Sequence, residues 1–540
     1  EKIGTLNEII ERIGKDKDPY KWAKEYVSSL NEKEMQEKRE IIARFSPTRQ
    51  IPTGEQHLYD GGYLFLQKIY HELGLDSICK TIEKKYRFKY DLNAILSRLI
   101  YGRILFPSSK RMTYEMSSEL FERPNFDLHQ IYRALEILTK ETDYIESSLY
   151  KNSIKQAKRK TGVLYYDCTN YYFEMERAEG IKQYGYSKEH RPNPIVQMGL
   201  FMDAEGIPLA FSIFEGNKNE QQSLTPLEKQ IISDFGLSKF VVCTDAGLGS
   251  MDNRIFNSLE DRAFVVTQSL KTLKTHLIEW SLSPSGWSVD GDNKEYDLSA
   301  LDENDYRDTT FYKERWLNEN NIQQRFIVTF SFKYRRYQRQ IRQNQIDSAK
   351  KKIMTPSKVT KRGSNDPNRF IKSTSFTENG ELAVRQHLMI DQSVVEHEER
   401  FDGFYGVCTN LEDDVCTILS VNQRRWEIEE CFRIMKSELQ ARPVYLSRDD
   451  RIKAHFLTCF LALIIFRHLE KKLSFSFTCD RIITTLRDMK FFDLHGDGFS
   501  PAYTRTDITD ALHDVFGFRT DFEVLNNSKL KAIIKLTHSG

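Results

Sequence analysis

The sequence predicts an α/β fold: a mixed-sheet core interrupted by a mainly β insertion, with helical N- and C-terminal regions. Three observations carry this. β-rich runs begin abruptly at Val163 after a long stretch of helical spacing. Between 270 and roughly 410 the pattern gives way to alternating aromatic runs joined by polar loops. Helical spacing then resumes and holds to the C-terminus. The boundaries follow: helices over 1–160, which could include a DNA-binding unit, the first part of the core over 161–270, the insertion over 271–402, the second part of the core over 403–475, and a helical region over 476–540. With 540 residues, the chain suits roughly three or four domains. Its 39% hydrophobic and 29% charged residues exclude a disordered chain.

In the first region Leu92, Ile95, Leu96, Leu99 and Ile100 space as one helix and Ile131, Leu135 and Leu138 as another, with breaks at Pro47, Pro52, Pro107 and Pro124. The core opens with VLYYDCTNYYF (163–173), IVQMGLFM (195–202) and IPLAFSIF (207–214), the last two joined by the turn Asp203-Ala-Glu-Gly206. Thr225-Pro-Leu-Glu228 reads as a capping box opening a helix that stops at Gly236. FVVCT (240–244) and AFVVT (263–267) are short apolar strands around a helix near 252–259. This β-β-β-α-β-α-β order resembles a ribonuclease-H-like core. Farther on, Ile418, Val421, Ile428, Phe432, Met435 and Leu439 mark a long helix. The most apolar run, Phe456 to Phe466, is too short for a membrane span of about 20 residues and reads as a buried helix, so no membrane partner is expected. No export signal is read at the start. The eight cysteines never form a C-x-x-C pair, which suits reduced thiols in a cytosol.

A net charge of +1 hides an uneven distribution. From Lys333 to Arg362 there are eleven basic residues and one acid, which leaves −9 for the rest of the chain. Lys333, Arg335, Arg336, Arg339 and Arg342 follow the apolar strand FIVTFSF (326–332), and they are expected to leave it as a strand extension or a short helix lying along DNA phosphates. A solvated basic loop is the bland alternative.

Three acids stand apart from the other charges. Asp167 sits inside an apolar strand and Asp245 closes another, and a buried unpaired carboxylate costs several kcal/mol unless it meets a partner or a cation. A carboxylate capping nearby amides is the alternative for each. Glu429 shares a helical stripe with Arg425, four residues before it, and Lys436, seven after, at the edge of the apolar seam. Arg425 and Glu429 could equally form an ordinary surface ion pair, and Glu430 is the fallback acid, turned about 100° away.

The order Asp167, Asp245, Glu429, with a β insertion before the Glu and the string R-W-x-I-E followed by Lys436, resembles the DDE transposases of bacterial insertion sequences that carry a Y-R-E-K signature. The resemblance covers about 165–270 and 400–470, with EGN at 215–217 and FDGFYGVCTN at 401–410 as further matches. One position departs: the signature's Tyr, three before the Arg, is Asn422. The resemblance implies an enzyme that binds terminal inverted repeats and target DNA as a homodimer on double-stranded DNA in the bacterial cytoplasm. It would cleave a strand at each end and transfer the exposed 3′-OH. Asp167, Asp245 and Glu429 would hold two Mg²⁺, with Mn²⁺ as a substitute, and Arg425 and Lys436 would grip phosphates. Tyr405, or Phe404 in its place, resembles the ring on which a flipped base stacks in enzymes of this family that make a hairpin at the DNA end. Three carboxylates without Cys or His match hard cations, and two such ions ~4 Å apart suit phosphodiester transfer. A non-catalytic DNA-binding descendant and a metal-dependent nuclease on the same core are the alternative functions.

Overall fold

The structure, a computed structural model, describes residues 4–14, 18–37, 46–156, 159–354, 366–376 and 382–539. Its strands in chain order are β1 (Leu58–Asp60), β2 (Val163–Tyr172), β3 (Ile195–Asp203), β4 (Pro208–Glu215), β5 (Val241–Thr244), β6 (Ala263–Gln268), β7 (Trp287–Val289), β8 (Asp292–Tyr296), β9 (Phe311–Glu319), β10 (Ile322–Phe330), β11 (Ile371–Phe376), β12 (Leu382–Ile390), β13 (Phe404–Thr409), β14 (Lys490–Asp493) and β15 (Phe499–Pro501). Ten of them form one sheet in the order β4-β3-β2-β5-β6-β13-β10-β9-β7-β8. β4, β3 and β2 run antiparallel, β2, β5 and β6 run parallel, and every later pair is antiparallel.

Aromatic and β-branched residues make β2 a strand, and its two-residue period gives each face a separate core. Leu164, Tyr166 and Cys168 pack with Leu224, Leu227, Ile231 and Phe235. Tyr165 and Tyr171 face the other way, into a cluster with Ile428, Phe432, Met435 and Phe456. Two helices cover that second face, Trp426–Ser437 and Asp449–Lys472. The latter is long and apolar enough to cross a membrane, yet Phe456 to Phe466 are all buried among protein side chains. Its cluster also takes in the predicted stripe of Leu92–Leu105 and that of Leu128–Lys140, so the N-terminal helices share a core with the C-terminal ones.

Four expectations change. The single long helix expected through Ile418 to Leu439 is two helices, Val415–Gln423 and Trp426–Ser437, parted by a turn at Arg424 and Arg425; the insertion strands β7 to β10 extend the core sheet, with β13 hydrogen-bonded to β6 on one side and β10 on the other. The basic run after β10 is neither a strand extension nor a short helix but the 23-residue helix Phe332–Met354. The C-terminal region is not wholly helical: β14 and β15 pair with each other, and β1 joins them through β14. The helix expected to open at a Thr225 cap begins at Leu224, and the Thr225 hydroxyl donates instead to Asn253.

That last change leaves Glu228 pointing inward rather than capping. It is fully buried, accepts from the Asn257 amide at 2.7 Å through one oxygen, and has no partner for the other. Burial pushes its carboxyl up to about 8. The folded state therefore holds a proton that the unfolded state releases above pH 4.5, and stability falls as pH rises from about 4.5 through about 8. Glu228→Gln keeps an acceptor for Asn257 without the charge, so the variant should be more stable than wild type at pH 8.5 and show a flatter decline of melting temperature with pH. Parallel declines in the two chains would show that Glu228 is not the titrating group.

Candidate active site

The odd-numbered residues of β2 face the helices of the second face, Val415–Gln423 among them. The Tyr165 hydroxyl donates to the Val421 carbonyl at 3.0 Å, Thr169 accepts from the Lys436 ammonium at 2.6 Å, and the Tyr171 hydroxyl meets the Met435 sulfur at 3.6 Å. Asp167 lies between these anchors on the same face, within reach of the Arg425 charge. β5 is parallel to β2 with Tyr165 beside Cys243. Two residues farther along each strand come Asp167 and Asp245, on neighbouring strands about 4.8 Å apart. Asp245 stands just past the end of β5, where the Leu248 amide donates to it at 3.0 Å.

Burial pushes the Asp167 carboxyl up to about 6, the Asp245 charge adds to the rise, and Lys188, the Cys168 amide and Arg425 oppose it. Arg425, at the start of the Glu429 helix, is near enough for its charge to act on Asp167. Glu429, one turn on, has a 60% exposed side chain and pairs with Arg425 at 3.6 Å. An exposed i,i+4 pair is worth only about 0.5 kcal/mol, too little to hold Glu429 against a cation. The three carboxylates are not drawn together to within 4.8 Å, as two other groups of candidate ligands are. The fallback, Glu430, is taken up by the Arg433 guanidinium, which donates to both of its oxygens at 2.7 Å.

Lys436 is mostly buried, and burial together with the nearby Lys188 charge holds its ammonium down at about 8 against the pull of Asp167. Lys188 escaped the sequence reading. Its ammonium donates to the Cys168 carbonyl at 2.6 Å and pairs with Glu220 at 3.4 Å; burial opposes its charge, but Glu220 and Asp167 outweigh that and raise its pKa. Glu189 next to it pairs with Lys436 at 3.7 Å and with Arg442. The signal available was the polar run Lys188-Glu-His-Arg191, with three charged residues, in the loop before β3.

Asn422, which stands where the signature has Tyr, is buried and donates to the Tyr405 hydroxyl at 3.0 Å; that hydroxyl also bonds Thr267 at 2.7 Å. Tyr405 is thus clamped at its polar tip, with Tyr334 edge-on at 6.2 Å. Phe404 packs on Trp287 and Phe330 in the insertion core.

On the basic helix, Arg335 and Arg336 pair with Glu303 at 2.6 and 3.2 Å, and Arg339 approaches Asp402 at 3.5 Å. Arg342 differs: it is buried, and its guanidinium donates two bonds of 2.6 Å to Asp402. Its charge is consumed in holding the helix to the chain just before β13, which removes it from the expected phosphate contacts. Lys333, Arg336 and Arg339 remain exposed. Lys358, Lys361 and Arg362 fall outside the described residues.

The transposase DDE domain family matches residues 159–465, which is more than half of the chain. No curated protein matches. Among solved structures, a piggyBac transposase synaptic complex with hairpin DNA aligns at 8% identity over 87% of this chain and 88% of that one, with a TM-score of 0.39, a likeness too loose to carry function. The matched span opens just before β2 and closes inside the helix Asp449–Lys472, so it contains both aspartates, the insertion and the Glu429 helix, and the chain belongs to the transposase DDE domain family.

Proposed function

We propose that this chain is a DNA transposase that binds the terminal inverted repeats of its element, cleaves a strand at each end and joins the freed 3′-OH to target DNA. The observation that supports the proposal is that Asp167 in β2 and Asp245 just past the parallel neighbour β5 are in register, with Lys436 of the Glu429 helix bonded to Thr169, two residues from Asp167. The strand order β4-β3-β2-β5-β6 supports a ribonuclease-H-like core. A homodimer assembled on DNA follows from the need to join two ends, and the resemblance to bacterial insertion-sequence enzymes implies that it acts in the bacterial cytoplasm.

Asp167, Asp245 and Glu429 fit Mg²⁺ or Mn²⁺: all their donors are oxygens, and Asp167 is a desolvated carboxyl whose ionisation a cation would favour. Two such ions, when bound, would polarise the scissile phosphate and activate water or a DNA hydroxyl. Arg425, released from Glu429, and Lys436, fixed on Thr169, would hold phosphates on either side. Lys188 keeps positive charge at the Asp167 edge and would orient the leaving strand. The test is nicking of a labelled element end by the purified chain in Mg²⁺ and in EDTA. Mg²⁺-dependent nicking followed by joining is expected. Binding without nicking would favour a non-catalytic descendant, and nicking without joining a plain nuclease.

The exposed cations of the helix Phe332–Met354 would lie along the DNA backbone. Replacing Lys333, Arg336 and Arg339 with Ala should weaken specific and unrelated DNA alike, and flatten the dependence of log K on log salt by up to about 2.7. An unchanged slope would remove the helix from the interface. Tyr405, held by Thr267 and Asn422, would offer its ring to a flipped base, a stack worth about 1–3 kcal/mol. Tyr405→Ala should slow hairpin formation and spare the first nick; equal loss of both steps would mark the ring as structural.

A further inference from the structure

Glu55 and His57 lie on the segment that leads into β1, and His495 lies in the turn between β14 and β15. The pairing of β1 with β14 brings the two segments together, and the Asp493 amide donates to the His57 carbonyl at 2.9 Å. The His57 ring stacks on Phe492 and meets His495 edge-on, with centroids 5.5 Å apart. Glu55 Oε1 stands 4.0 Å from His57 Nε2 and 3.6 Å from His495 Nδ1. One ligand atom from each residue lies within 4.8 Å of the others. In a tetrahedral zinc site with bonds of about 2.0–2.2 Å, neighbouring ligand atoms are roughly 3.3–3.6 Å apart, so Glu55 Oε1 already stands at that distance from His495 Nδ1 and must close only a few tenths of an ångström on His57 Nε2.

A second observation points to a ligand. His57 Nε2 is buried without a hydrogen-bond partner, although it faces the carboxylate. Such an orphaned imidazole nitrogen is costly unless something occupies it. The contrast is the group Asp510, His513 and Asp521, the other close set of ligands among the described residues. There Arg519 donates to both aspartates at 2.6 and 2.7 Å and Arg505 to Asp510 at 2.7 Å, so guanidinium groups already fill the cation's place. Among the described residues, no lysine or arginine pairs with Glu55. Two imidazoles and one carboxylate also differ in kind from the oxygen-only set at the active site, and they select a first-row ion over Mg²⁺.

We propose that Glu55, His57 and His495 bind one Zn²⁺ ion, with water as the fourth ligand, clipping the segment before β1 to the β14–β15 turn. The proposal is independent of the catalytic reading. The test is titration of the full chain with Co²⁺ in excess Mg²⁺, which occupies oxygen-only sites. One equivalent of Co²⁺ should give the intense visible absorption of a tetrahedral centre, and one equivalent of Zn²⁺ should remove it. His57→Ala and His495→Asn should abolish the absorption, while His276→Ala, at an exposed site far along the chain, should keep it. His495 has φ 54°, a left-handed conformation that Asn adopts readily, so His495→Asn decides the matter if His57→Ala fails to fold. No absorption in wild type, or absorption that a folded His495→Asn chain retains, would overturn the site.

Discussion

Asp167→Asn, Asp245→Asn and Glu429→Gln should each reduce strand cleavage at a labelled element end by at least about 10³-fold, while leaving inverted-repeat binding within about twofold of wild type. Each substitution keeps the shape and hydrogen-bonding reach of the side chain and removes the charge that would hold a cation. The loss therefore falls on the transition state, where charge develops at phosphorus, and not on DNA binding. Glu430→Gln is the internal control: its carboxylate is occupied by Arg433, and cleavage should stay near the wild-type rate. A Glu429→Gln chain that nicks normally, beside a Glu430→Gln chain that does not, would move the third ligand by one residue.

The largest effect on stability is expected at Asp203. This carboxylate is fully buried at the end of β3, accepts from the Glu205 and Ile207 amides at 3.0 Å each, and pairs with the buried Arg159. Arg159 also donates to the Ile207 and Pro208 carbonyls and to the Ser153 hydroxyl. The pair thereby ties the turn at Gly206 to the end of the helix Thr142–Gln156, which precedes β2. Asp203→Ala leaves a guanidinium buried without its counter-charge and should cost about 3–5 kcal/mol, read from the midpoint of urea unfolding. A loss below about 1 kcal/mol would show that water reaches Arg159 and replaces the carboxylate.

Asp167 and Asp245 stood out because a charge inside an apolar strand, or closing one, contradicts its surroundings, and the register of β2 with β5 sets the two on neighbouring strands. The stripe marked the helix bearing Glu429 but hid the turn at Arg424 and Arg425 that parts it from Val415–Gln423. Lys188 was not legible, since its bonds to Cys168 and Glu220 join positions 20 and 32 residues away, and no periodicity links a loop to a strand edge. Arg342 was misread because charge alone does not say which face of a helix it occupies. The clue lay in the spacing Arg342, Ile346, Ala349, the buried stripe of that helix. The continuous sheet was hidden for a different reason: β13 pairs with β6 across more than a hundred intervening residues, and such a pairing leaves no local mark. The turn HGDG at 495–498, between the short runs KFFD and FSP, did mark the hairpin that the helical reading of the C-terminus passed over.

The position of β13 between β6 and β10 also governs what happens while the chain is being synthesised. Both aspartates emerge early, but β6 remains a bare sheet edge until the whole insertion and then residues 404–409 have left the ribosome, and Glu429 comes later still. A product that terminates within the insertion has no third carboxylate and exposes the unpaired backbone of β6, a template for aggregation. On the proposed function, premature termination therefore yields an aggregation-prone fragment that lacks the third proposed metal ligand.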